Sequence, residues 1–101
     1  IGDIIGNFTE NYATSINENA YGGAIRNDSS MGNITGDFVG NWASSTNSSV
    51  YGGAIYNSYD SKIGVITGDF VGNYGSGYYS YGGALYNEGG TIEYILGDCN
   101  Y

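Results

Sequence analysis

Along this chain, apolar and polar positions alternate in short stretches that recur about every thirty residues. In the run from Ile34 to Phe38, Ile34, Gly36 and Phe38 fall on one side and Thr35 and Asp37 on the other. Successive side chains of an extended backbone point to opposite faces, so a period of two predicts a strand. The same lead-in, Ile-x-Gly-x, stands at Ile4, Ile66 and Ile95. A second stretch carries Ile25, Ile55 and Leu85, followed by Arg26, Tyr56 and Tyr86. An unpaired Arg is too costly to bury in a narrow core, so the Arg26 slot is expected to point out. Ile25, Ile55 and Leu85 then point in, with Gly23, Gly53 and Gly83 beside them.

These stretches belong to an internal repeat. Tyr-Gly-Gly-Ala occurs with its first Gly at Gly22, Gly52 and Gly82, and Phe-x-x-Asn interleaves with it at Phe8–Asn11, Phe38–Asn41 and Phe70–Asn73. A fourth lead-in ends at Cys99, which takes the Phe slot. A period near thirty admits helical as well as β solenoids. Helical repeats need apolar residues at 3.6 spacing and avoid dense Gly and Asn, and this sequence offers the opposite on both counts. A further apolar ladder, Ile1, Met31, Ile63 and Ile92, lies three residues ahead of Ile4, Ile34, Ile66 and Ile95. An odd separation places both inside only across a bend, expected at Gly2, Gly32 and Gly64 through left-handed dihedrals.

The expected fold is therefore all-β: a right-handed parallel β-helix (β-solenoid) of about 30 residues per rung, with three full rungs and a partial fourth. Residues 1–101 form one segment, with repeats at approximately 1–30, 31–62 and 63–91 and a partial one at 92–101. Repeat length varies only in polar stretches, such as Ala43 to Val50 and Asn57 to Val65, which read as surface loops. Rungs stack like on like at about 4.8 Å. Phe8, Phe38 and Phe70 are expected to form an internal aromatic stack. Asn11, Asn41 and Asn73, and separately Asn27, Asn57 and Asn87, are expected to link rungs through their amides at corners, where Asn tolerates the left-handed region.

Composition narrows function mainly by exclusion. Ten Asp and Glu stand against two Lys and Arg, for a formal net charge of -8 without His. Nucleic-acid affinity depends on Lys and Arg displacing counterions, so nucleic acid is not an expected partner. No apolar run approaches the roughly 18 residues of a membrane helix. Cys99 is the single cysteine, so no internal disulfide forms. The chain starts in mid-pattern at Ile1, as a processed or excised segment would.

Three sets of residues are candidates for more than scaffolding. Tyr21, Tyr51, Tyr81, Tyr56 and Tyr86 form a candidate binding face, since a Tyr ring is apolar with a polar tip and suits glycans or other proteins. Asp37, Asp69 and Asp98, with Asn7 in the first rung, form an outward ladder whose carboxylates solvent screens or a Ca²⁺ ion bridges. The sequons at Asn7, Asn27, Asn33 and Asn47 matter only in a eukaryotic secretory host. No cofactor is expected otherwise. Catalysis, known among parallel β-helices that degrade acidic polysaccharides, would need carboxylates gathered with basic residues, and Arg26 and Lys62 lie on separate rungs. An ice-binding ladder is interrupted, because Ile5 and Leu96 share the slot of Thr35 and Thr67.

The alternation of Gly-Gly-Ala-Ile/Leu (Gly22–Ile25, Gly52–Ile55, Gly82–Leu85) with Phe-x-x-Asn (Phe8–Asn11, Phe38–Asn41, Phe70–Asn73) resembles the repeat of the chlamydial polymorphic membrane proteins. Similar repeats occur in adhesin-like and autotransporter-passenger proteins of other bacteria and of methanogenic archaea. The resemblance covers nearly the whole chain. It implies a secreted or surface-displayed, non-catalytic β-helical stalk or extracellular filament subunit used in adhesion. Its expected partners are itself, by end-to-end stacking through open strand edges, or neighbouring repeats of a longer chain, with glycans or a host-cell surface as outer ligands.

Overall fold

In the computed structural model, which describes residues 2–97 and the backbone of residues 99–100, the chain is all-β, with parallel strands stacked in about three turns of roughly thirty residues. Each turn runs through five short strands. The first holds β1 (Ile4–Ile5), β2 (Phe8–Thr9), β3 (Tyr12–Ser15), β4 (Ala20–Tyr21) and β5 (Ile25–Asn27). The second repeats them as β6 (Ile34–Thr35), β7 (Phe38–Val39), β8 (Trp42–Ser45), β9 (Ser49–Tyr51) and β10 (Ile55–Asn57). The third comprises β11 (Lys62–Thr67), β12 (Phe70–Val71), β13 (Tyr74–Ser76), β14 (Tyr79–Tyr81) and β15 (Leu85–Asn87). Strands β16 (Thr91–Leu96) and β17 (Cys99–Asn100) begin a fourth.

Every strand pairs with its counterpart one turn away, which builds five parallel sheets along the coil. The registers are those of the repeat: Ile4, Ile34, Ile66 and Ile95 in one ladder, Phe8, Phe38, Phe70 and Cys99 in the next, and Ile25, Ile55 and Leu85 in another. The molecule measures 34 × 27 × 17 Å, the short dimension suiting three to four strand spacings of about 4.8 Å.

Two apolar clusters fill the coil. The larger packs Ile25, Met31, Ile34, Phe38, Ala54, Ile55, Ile63, Ile66 and Phe70, and the smaller packs Ala20, Ala43 and Val50. The smaller cluster shows that the polar stretch from Ala43 to Val50 is not simply a surface loop. It supplies β8 and β9, which bury Ala43, Ser45 and Val50, and only residues 46–48 connect them. That corner absorbs the length variation on this side: Ser44 pairs with Ser76 and Ser49 with Tyr79, so the third turn is two residues shorter there. Gly77 makes the short cut possible, since a Cβ there would lie 2.8 Å from Val50 Cγ2. On the other side the insertion forms a turn from Ser58 to Ser61, with Asp60 at φ 61° and the Ser61 amide donating to the Ser58 carbonyl at 3.1 Å.

The bend between the two inward Ile ladders is made differently from the sequence expectation. Gly32 and Gly64 do not adopt positive φ. They stand where backbones crowd, and a Cβ would lie 2.2 Å from Asp3 Oδ1 at Gly32 and 2.4 Å from Asn33 Oδ1 at Gly64. Side chains fill the gap the bend opens in the ladder, because the Asn33 amide donates to Asp3 Oδ1 and the Val65 amide to Asn33 Oδ1. Positive φ is used elsewhere. Gly36 and Gly68 at φ 149° and 147° break the lead-in from the Phe strand, so Ile34–Phe38 is two short strands with a corner between them. The left-handed residue of the next corner is Glu10, Gly40 or Gly72 (φ 54°, 65° and 65°), one place before the Asn ladder and not the Asn itself.

Candidate functional site

Inside the coil, like residues stack. Phe8, Phe38 and Phe70 lie face to face, with centroids 4.7 and 4.8 Å apart and planes within 6°. The two Asn ladders are hydrogen-bonded wires. Asn41 donates its backbone amide and its Nδ2 to Asn73 Oδ1, both at 2.9 Å, and Nδ2 also reaches the Phe8 carbonyl. Asn11 repeats the bonds toward Asn41 Oδ1, and Asn73 Nδ2 donates to the Phe38 carbonyl. In the second ladder, Asn27 Nδ2 donates to Asn57 Oδ1 at 2.8 Å and Asn57 Nδ2 to Asn87 Oδ1 at 2.9 Å, while both also hold corner carbonyls. Among the described residues no buried side-chain nitrogen or oxygen lacks a partner.

The tyrosines proposed as a binding face pack mainly on one another. Tyr21, Tyr51 and Tyr81 stack at 5.2 and 5.1 Å, and Tyr56 and Tyr86 lean against them at 45–56° from the neighbouring β5–β10–β15 sheet. The Arg26 slot does point away from the core, yet Tyr56 in it is only 6% exposed. Outward rings from two sheets that meet at the Gly-Gly corner have made a second, external aromatic core. Burial raises the Tyr56 phenol strongly, and its hydrogen bond to Glu88 Oε1 at 2.8 Å adds to the effect. Burial likewise raises Tyr51. Arg26 covers the first-turn end of this cluster, its guanidinium 4.3 Å from the Tyr21 ring centre and 5.8 Å from that of Tyr56, with Nε held by Asp28 Oδ2 at 3.0 Å.

A third aromatic column went unread in the sequence. Tyr12, Trp42 and Tyr74 stack on the outer face of β3, β8 and β13, with centroids 4.8 and 5.9 Å apart. Two residues along, Thr14, Ser44 and Ser76 form a hydroxyl column in the same register. Trp42 has a ring on each face, whereas Tyr12 and Tyr74 are exposed and are each covered on one face by Trp42.

The acidic ladder is engaged with the backbone. The Asp37 amide donates to Asn7 Oδ1 and the Asp69 amide to Asp37 Oδ1, each at 2.9 Å, so the side chain of one turn caps the corner of the next. Asp98 and the side chain of Cys99 lie outside the described residues.

A concave surface lies on the corner between β3–β8–β13 and β4–β9–β14. Three open clefts there, of about 560, 510 and 550 Å³, share walls and run across the turns. Hydroxyl and amide side chains line them: Thr14, Ser15, Ser44, Thr46 and Ser48, with Glu18 between the first two turns. The corner is ordered by stacking across turns. Asn47 Nδ2 donates to Asn17 Oδ1 at 3.0 Å, Ser45 Oγ to the Glu18 carbonyl at 2.6 Å, and the Ser49 amide to Asn19 Oδ1 at 3.0 Å.

No protein-family model, curated protein or solved structure matches this chain.

Proposed function

We propose that this chain is a non-catalytic scaffold of the cell surface or extracellular space: a right-handed β-solenoid stalk or filament segment whose turns continue on neighbouring turns. The observation that carries the reading is the state of the two end faces. Ile34, Phe38, Ile55 and Ile66 in the middle are fully covered, whereas Ile4 and Phe8 at one end and Leu85 and Ile92 at the other are only partly buried against the core. Ile95 is 41% exposed. Among the described residues each of the five sheets also ends at both faces in a strand with one unpaired edge, and such edges template further pairing.

Repeat coils gain stability from each neighbouring interface, whether the next turn belongs to a second copy or to the same longer chain. The right hand follows the strong preference of crossovers between parallel strands. The motif resemblance to surface-displayed repeat proteins supports an extracellular setting. The use of the recurring carboxylate Asp37 as a backbone cap supports a structural over an acid–base role.

Sedimentation velocity across a concentration series tests the self-stacking form. Mass that grows with concentration, in an elongating particle, supports it; a monomer at every concentration removes the filament reading.

A further inference from the structure

We propose that the cleft bounded by Thr14, Glu18, Asn19, Tyr21, Arg26 and Ser48 is a binding site for a neutral oligosaccharide. The inference goes beyond the scaffold role; six of the seven lining residues belong to the first turn and Ser48 to the second. A pyranose presents hydroxyls that both donate and accept, set around a ring with apolar C–H patches. The cleft meets that pattern with an acceptor-only carboxylate, a donor-only guanidinium, an amide and hydroxyls that do both, and a Tyr edge. Its volume of about 560 Å³ lies within the ordinary range for small-ligand sites.

The polar groups are held in place before a ligand arrives, which lowers the ordering cost of binding. Asn19 accepts from the Ser49 amide and from Ser48 Oγ and donates to the Tyr21 hydroxyl at 3.2 Å. Arg26 lies on the Tyr21 ring with Nε tied to Asp28, so its remaining N–H groups are the ones left to a ligand. Glu18 is pinned by its backbone: its amide donates to Ser15 Oγ at 3.1 Å and its carbonyl accepts from Ser45 Oγ. The Glu18 carboxylate bonds to no described side chain and exchanges water for sugar hydroxyls without breaking the corner.

Charge selects a neutral sugar over an acidic one. The chain carries a net charge of -8, the single guanidinium of the cleft is already paired with Asp28, and an anionic sugar would meet Glu18. The adjoining clefts over Ser44, Thr46 and Ser76 continue the hydroxyl lining along the coil, so a linear chain of sugars crosses successive turns. The aromatic columns offer a sugar fewer ring faces, because Trp42 and Tyr51 are covered on both sides and each end ring on at least one.

The test is isothermal titration of the full chain with cellohexaose, xylohexaose, mannohexaose and hexagalacturonate. Glu18→Gln and Ser48→Ala probe the cleft, Thr67→Ala on a distant face serves as control, and melting curves check each fold. The expected result is saturable binding of at least one neutral hexasaccharide, weakened tenfold or more by Glu18→Gln and unchanged by Thr67→Ala. Absence of binding to all three neutral sugars, equal binding by the folded Glu18→Gln variant, or preference for hexagalacturonate would overturn the proposal. Sedimentation of Glu18→Gln stays as in the parent chain, so failure of sugar binding is read separately from failure of stacking.

Discussion

Phe38 and Tyr56 are both buried aromatic residues, and they are buried by different means. Phe38 lies inside the coil between Phe8 and Phe70, with none of its surface exposed. Truncation to Ala leaves a cavity that two parallel rings cannot close, so Phe38→Ala is expected to cost about 3–5 kcal/mol, read from denaturant melts. Phe38→Asp puts a charge in the stack and is expected to abolish the β circular-dichroism signal. Tyr56 sits outside the coil beneath other tyrosines, and burial together with the Glu88 bond holds its phenol above the usual value near 10. The sign follows from linkage. Below about pH 10 the phenol is protonated in both folded and unfolded chains, and its contribution is fully present. Above that pH the unfolded chain loses the proton first, so stability falls as pH rises. Thermal melts between pH 9 and 12 are expected to show this alkaline loss, and Tyr56→Phe is expected to lessen it.

Among elements, the turns approach one another closely at the Gly-Gly corner. A Cβ on Gly53 would lie 2.0 Å from the Gly83 carbonyl oxygen, whereas one on Gly83 meets nothing within 4 Å. Gly53→Ala is therefore expected to lower the melting temperature sharply and Gly83→Ala only slightly, although the two positions are equivalent in the repeat. The Gly-Gly-Ala and Phe-x-x-Asn strands were legible because their apolar slots hold large, recurring residues. Strands β3, β8 and β13 were not. Their inward slots hold Ala13, Ala43 and Gly75, small enough for a narrow corner, and small residues blur hydrophobic alternation. Their outward slot changes identity from Tyr12 to Trp42 to Tyr74, which hides the column from a search for repeated letters. The proposed sugar cleft was illegible for a related reason, since Glu18, Tyr21 and Arg26 meet only through the bend between neighbouring sheets. The tyrosines of the expected binding face could be counted but not placed, because Tyr56 is covered by rings from a separate sheet.

At the scale of the whole molecule, the sides and the ends differ. Along the sides, side-chain amides and backbone bonds close every turn on the next. At the ends the same ladders stop with core residues half covered and strand edges unpaired. A coil built by translation of one unit has end faces that match each other slot for slot, with Tyr12 corresponding to Tyr74 and Asn27 to Asn87. The seam between two copies is not seamless, because the lead-in ladder has four strands and the Gly-Gly-Ala ladder three. Stacking must leave a gap there or exchange strands across it. Continuation of the coil from one copy onto the next is tested by negative-stain electron microscopy of the purified chain at low and high concentration. Stacked copies are expected to form thin filaments at high concentration, about as wide as the 34 × 27 Å cross-section of one turn. Uniform small particles at every concentration would contradict stacking between copies.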